Sequence, residues 1–163
     1  MTSISLSSPE KKEQKEKMAN VILDTNVYGK IIEDEDSDKL IELIIKDDKF
    51  IIHNFRIIRD ELRKAPKQAL ELYNRLVKTH MVQENREIDD LADAYYEEYK
   101  KMGGAKKITE IIKDFKIVAF ASKKNCDLVF SDDEKTMKNP IAKNSYKIVN
   151  LRKNIRTPTF FNY

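Results

Sequence analysis

Short apolar runs and longer segments of helical spacing take turns along this chain. The run VIL at 21–23 leads into Asp24, and the spacing beyond it predicts a helix through Tyr28 to Ile32. An acidic turn, EDEDSD, precedes DKLIELIIK, a helix expected to be capped by Ser37. FIIH predicts a second strand. Asn54 is expected to cap FRIIRDELRK and Pro66 to open a helix running through Lys78. EIDDLADAYYEEYKKM predicts another helix, stopped by Gly103 and Gly104. The next helix and strand are ITEIIKDFKIVAFASKK and DLVFS, and YKIVNL predicts a last strand. Strands alternating with helices imply an α/β fold, a three-layer sandwich whose mainly parallel central sheet of four to five strands is covered by helices on both faces. The first 18 residues break the pattern: MTSISLSSPEKKEQKEKM is Ser-rich and then a Lys/Glu run without apolar spacing. They are expected to form a flexible tail, leaving residues 19–163 as one domain.

Composition changes this picture little. With 163 residues and 40% apolar content, the chain can build a single core. Charged residues make up 36% of it yet sum to only +3, so any basic surface must be local. One cysteine, Cys126, excludes an internal disulfide and a zinc ribbon and fits a reducing compartment. The sequence has no run of 18 apolar residues and no signal-peptide pattern, so a cytoplasmic protein without membrane association is expected.

The candidate chemistry lies where apolar runs end. In parallel sheets, ligands bind beyond the carboxyl ends of strands, where strand order reverses. Asp24 ends one such run, and LVF at 128–130 ends in Ser131, Asp132 and Asp133. A competing reading of the second stretch is helix capping, because Ser131 with Glu134 three residues later fits a capping box. Two more acids lie on helical faces that border apolar stripes. Asp114 has Ile111, Ile117, Val118 and Ala121 as same-face neighbours, and Glu61 has Ile57, Ile58 and Ala65. Pairing with Arg or Lys would explain either acid alone. Four carboxylates converging on one rim require something to offset their repulsion, and divalent cations with hard oxygen ligands do so.

The order of these stretches, an apolar run ending in Asp-Thr-Asn, then RDEL, then DFKIVAFA, then LVFSDD, resembles the PIN domain family over residues 20–150. That family consists of metal-dependent ribonucleases and includes the toxins of VapBC-type toxin–antitoxin systems. The ending LRKNIRTPTFFNY looks like a stretch found in some archaeal members. The resemblance implies that Asp24, Glu61, Asp114 and Asp133 are catalytic and hold Mg²⁺ or Mn²⁺, with Asp132 as a further acid near the metal. Thr25, Asn26 and Ser131 match the polar residues that support the site. It also implies an endoribonuclease that hydrolyses phosphodiester bonds in single-stranded RNA, an antitoxin protein as a partner, and a homodimer. The sequence departs from the family where EKTMKN follows the last acid, since members often carry an aromatic there.

RNA approaching an acidic site needs a basic rim. Lys30, Arg56, Arg59, Arg63, Lys64, Lys106 and Lys107 are candidates, each with solvated helix surface as the competing reading. Tyr95, Tyr96 and Tyr99 are read as a half-buried helix face rather than a base-stacking platform. EDEDSD lacks the glycine and closing Glu of a calcium loop and is read as a solvated turn. His53 and His80 have no catalytic partners and are read as structural. Two other functions compete with the nuclease: an RNA-processing or RNA-binding module of the same fold with no toxin role, and a Mg²⁺-dependent phosphatase. Against the phosphatase, Asn26 stands where the second acid would be needed.

Overall fold

The computed structural model describes residues 17–163, so the expected tail lies almost entirely outside the described residues. Four strands form one sheet: β1 (Ala19–Leu23), β2 (Phe50–Ile52), β3 (Leu128–Phe130) and β4 (Thr159–Phe161). Their order is β2-β1-β3-β4, with every neighbouring pair parallel. Parallel strands need crossovers, and seven helices among the described residues supply them. α1 (Thr25–Glu33) and α2 (Ser37–Lys46) carry the chain from β1 to β2. α3 (Arg56–Leu62), α4 (Lys67–Leu76), α5 (Arg86–Lys101) and α6 (Ile108–Lys123) lead to β3, and α7 (Pro140–Arg152) leads to β4.

β1 lies inside the sheet, and the connection from β1 to β2 crosses it in the opposite direction to those that lead to β3 and β4. Right-handed connections therefore put α1 and α2 on one face and α6 and α7 on the other, which completes three layers. α4 packs against α1 and α2, and α5 packs against α6 and α7. The chain reverses direction between β1 and β3, so the carboxyl ends of these two strands flank the switch point. The middle of the sandwich is dry: Val21, Ile22, Ile52, Val129, Phe115 and Phe120 are fully buried.

Three expectations are corrected. YKIVNL is the second half of α7, not a strand. Asn139 caps that helix by accepting from the Ile141 N–H at 2.9 Å, and Pro140 fills its first turn. Its buried face, Ala142, Ser145, Tyr146, Val149 and Asn150, includes two polar residues that an apolar count overlooks. The last strand is instead TFF near the C-terminus. Asn54 does not cap α3, whose N-cap is Phe55; its side chain accepts from the Tyr73 hydroxyl at 2.7 Å. Ser37 is the first residue of α2 rather than its cap, and Asp36 holds the cap position without a side-chain bond.

The tyrosines of α5 follow the burial reading. Tyr95 and Tyr99 are buried and meet Phe115 edge-on, and Tyr96 is half-buried. The Tyr95 hydroxyl donates to Asn150 at 2.6 Å, tying α5 to α7. Gly104 ends this region because a side chain there would enter the Tyr99 ring, its Cβ falling only 2.3 Å from the nearest ring carbon. No helix among the described residues is long and apolar enough to cross a membrane. Cys126 is buried, and burial pushes its thiol up to about 12, which leaves it unreactive.

Candidate active site

Asp24 stands one residue beyond β1 and caps α1, accepting from the Thr25 N–H at 2.8 Å. Its N–H continues the ladder to the Phe130 carbonyl at 2.9 Å, so the sheet itself fixes its position beside the end of β3. The Ser131 hydroxyl donates to Asp24 Oδ2 at 2.7 Å. Ser131 is fully buried and Asp24 only 4% exposed. The competing capping-box reading fails: no helix follows directly, and Glu134 pairs with Lys138 at 2.8 Å. Ser131 Oγ accepts instead from the Asp133 N–H at 3.1 Å, which folds the loop back over the end of β3.

The helix acids reach the same rim. Glu61 Oε2 accepts from the Thr25 hydroxyl at 2.6 Å, binding α3 to the first turn of α1. Asp114 on α6 accepts from the Thr136 hydroxyl at 2.5 Å, and the same hydroxyl touches Asp133 Oδ2. The field of this group is visible in its titration. Burial first, then the charges of Glu61 and Asp133, push Asp24 up to about 6 despite its hydrogen bonds from Ser131 and Thr25. Burial first, then the charges of Asp24, Asp133 and Glu61, push Asp114 up to about 7. The charges that act most strongly on both are those of other acids.

The flanking residues divide. Asn26 lies 3.4 Å from Asp24 Oδ2, a long contact, and its Oδ1 accepts from the Asp132 N–H at 3.3 Å. Asp132 turns away from the cluster. Lys30 holds it at 2.5 Å, the Tyr163 N–H donates to it at 2.9 Å, and the lysine keeps its carboxyl below the usual range. Arg56 and Arg63 lie 3.6 and 3.9 Å from Asp60 at the protein surface. Arg59 is half-buried. Lys106 is held by its backbone between Tyr99 and Tyr96, and Lys107 is exposed. His53 contacts Asn20 at 3.0 Å, and His80 is exposed.

Thr136 is the residue that sequence reading passed over. Its only signal is a hydroxyl three residues after Asp133, which fits a side-chain turn to that acid. Its second contact, to Asp114, depends on a loop path that no periodicity reveals.

The four acids and the hydroxyls of Thr25, Ser131 and Thr136 beside them offer hard oxygen donors, the kind that suits Mg²⁺ or Mn²⁺ better than zinc. Among the described residues, no three His, Cys, Asp or Glu side chains are drawn together into a ready-made cation cage. The hydroxyls of Thr25, Ser131 and Thr136 stand between or beside the acids instead. In donor chemistry and in uncompensated charge, the residues fit a divalent cation.

Among solved structures, the chain matches the crystal structure of VapBC2 from Rickettsia felis bound to a DNA fragment from their promoter. The TM-score is 0.54 and the identity 15%, over 88% of this chain and 98% of that one. The likeness is one of fold. No family model matches the sequence, and neither does any curated protein.

Proposed function

We propose that this chain is a PIN-type endoribonuclease that hydrolyses phosphodiester bonds in single-stranded RNA with Mg²⁺ or Mn²⁺. The observation that carries this reading is the gathering of Asp24, Glu61, Asp114 and Asp133 at the switch point of a parallel sheet, where burial and the neighbouring acids raise Asp24 to about 6 and Asp114 to about 7. Asp24, Glu61, Asp114 and Asp133 hold the metal in this reading, and Asp132, already neutralised by Lys30, lies outside the ligand set. The cation supplies Lewis acidity, acidifying water and neutralising charge on the phosphoryl group.

The protein's own groups do the rest. Ser131 and Thr25 fix the rotamers of Asp24 and Glu61, so the carboxylates are aligned before substrate arrives. Lys30, Arg56, Arg59, Arg63, Lys106 and Lys107 are assigned to the RNA backbone. For Arg56 and Arg63 the exchange of partners is cheap, because an exposed ion pair such as theirs with Asp60 is worth roughly 0–1 kcal/mol. The fold likeness to VapBC2 supports a toxin role with an antitoxin protein as the inhibitory partner; a cytoplasmic setting and pairing with a second copy belong to the same reading and rest on the family resemblance alone.

The test is cleavage of an end-labelled single-stranded RNA by the purified chain. Mn²⁺ or Mg²⁺ should support cleavage and excess EDTA should abolish it. Cleavage that persists in EDTA overturns the metal mechanism, and metal binding without cleavage turns the reading toward a non-catalytic RNA-binding module.

A further inference from the structure

Each hydroxyl at the rim has its own task. Ser131 serves Asp24, and Thr25 serves Glu61. Thr136 serves two acids that come from different parts of the fold. Its backbone N–H donates to Asp133 Oδ1 at 2.9 Å, which closes a turn within the loop after β3. Its Oγ1 lies against Asp133 Oδ2 and, at 2.5 Å, against Asp114 Oδ2 on α6. Asp114 and Asp133 are thus held with a single oxygen atom between them.

That hydroxyl carries one proton and can donate to only one of the two carboxylates. The second contact needs either a proton shared with one carboxyl or a cation between the two anions, and in both cases the one hydroxyl sets how far apart the acids stand. The loop from Ser131 to Asn139 contains no helix or strand, so nothing in its secondary structure fixes Asp133 opposite α6. The Asp133 backbone is tied to Ser131 and Lys138, and the Thr136 contacts set its carboxylate against Asp114.

We infer that Thr136 is a positioning residue that sets the spacing of Asp114 and Asp133 and thereby the affinity of the site for its cation, an inference that rests on the metal-nuclease reading. It touches neither substrate nor the reacting phosphate in this role. It acts through the two acids, and its effect appears in metal binding before any turnover.

The experiment measures Mn²⁺ binding to the full chain, stripped of metal, by isothermal titration calorimetry, with thermal unfolding in chelator recorded alongside. Thr136→Val keeps the branched shape and removes the hydroxyl, and Thr136→Ser keeps the hydroxyl and removes the methyl. The Val variant should bind Mn²⁺ about 10- to 100-fold more weakly, as loss of an outer-sphere partner does, and the Ser variant should stay within about threefold of the wild type. A merely structural Thr136 predicts the reverse, a lower melting temperature in chelator with unchanged Mn²⁺ affinity. Thr136→Ala gives the same comparison without a branched side chain, should the Val variant fail to fold. Wild-type affinity in the Val and Ala variants overturns the positioning role and leaves the nuclease reading standing. A wild-type chain that binds no Mn²⁺ overturns both.

Discussion

Asp24 and Asp127 sit at opposite ends of the same sheet, and the chain treats the two carboxylates in opposite ways. Asp127 immediately precedes β3 at the amino end. It accepts from the Asn20 N–H and from Arg156, each at 2.8 Å. Burial raises its titration point, but the Asn20 and Arg156 contacts outweigh this and hold it below the usual carboxylate range. Asp24 follows β1 at the carboxyl end, more deeply buried, with hydroxyl and amide donors but no cation, and with other acids turned toward it. An acid that brings its own counter-charge is explained by the fold. A buried cluster without one must take up protons or a ligand of opposite charge.

The strongest way to break this contrast is Asp24→Asn, which keeps the side-chain shape and removes the charge. If Asp24 binds the catalytic cation, cleavage should fall at least about 100-fold, or about 2.7 kcal/mol of transition-state stabilisation. Folding should survive in chelator with equal or slightly higher stability, because repulsion from Glu61 and Asp133 is relieved. Affinity for single-stranded RNA should also persist without metal, since Asp24 offers a phosphate nothing attractive. Melting temperature, RNA affinity and cleavage rate measured in parallel decide the matter. Destabilisation of about 1–3 kcal/mol, with activity lost only in step with unfolding, would make Asp24 a scaffold residue like Asp127.

A smaller effect sharpens the same comparison through pH. Asp24 and Asp114 are raised from an ordinary 3.8 to about 6 and about 7 in the folded protein. Between those limits the folded state binds more protons than the unfolded one, so stability falls as pH rises. In chelator, the free energy of unfolding should therefore decline from about pH 4 to about pH 7, by an amount on the order of a few kcal/mol. Saturating Mn²⁺ should flatten the decline by displacing the protons. A metal-free stability that instead rises steadily across this window would mean that the acids are compensated after all, as Asp127 is.

How far the sequence foretold this arrangement depends on what each feature required. β1 and β3 were legible because a buried parallel strand is a plain apolar run, and an acid at its end stands out. Helix α7 was misread because Tyr146, Ile148 and Val149 imitate a strand, while the face that packs also uses Ser145 and Asn150. Strand β4 escaped because three residues, TFF, carry no periodicity. The resemblance supplied Asp24, Glu61, Asp114 and Asp133, and the structure brings all four to one rim. It sends Asp132 to Lys30, a choice that adjacent identical residues cannot reveal in sequence. Thr136 stayed hidden for a different reason: its partner Asp114 is 22 positions away, and only the fold makes them neighbours.

The smallest expected effect comes from Asp127→Asn. The substitution removes the ion pair with Arg156, whose side chain is 52% exposed against 30% for Asp127. An amide oxygen can still accept from the Asn20 N–H, so the sheet keeps its backbone contact. What is lost is a surface charge pair worth roughly 0–1 kcal/mol and screened further by salt. Cleavage rate and Mn²⁺ affinity should be unchanged, because Asp127 precedes β3 at the amino end of the sheet and Asp24 lies beyond β1 at the carboxyl end. The salt dependence supplies a second reading: the loss of stability should be greatest at low ionic strength and should shrink toward zero as salt rises. A fall in cleavage comparable to that of Asp24→Asn, with the protein still folded, would dissolve the distinction between a compensated and an uncompensated acid. Catalytic weight would then have to be sought at both ends of the sheet.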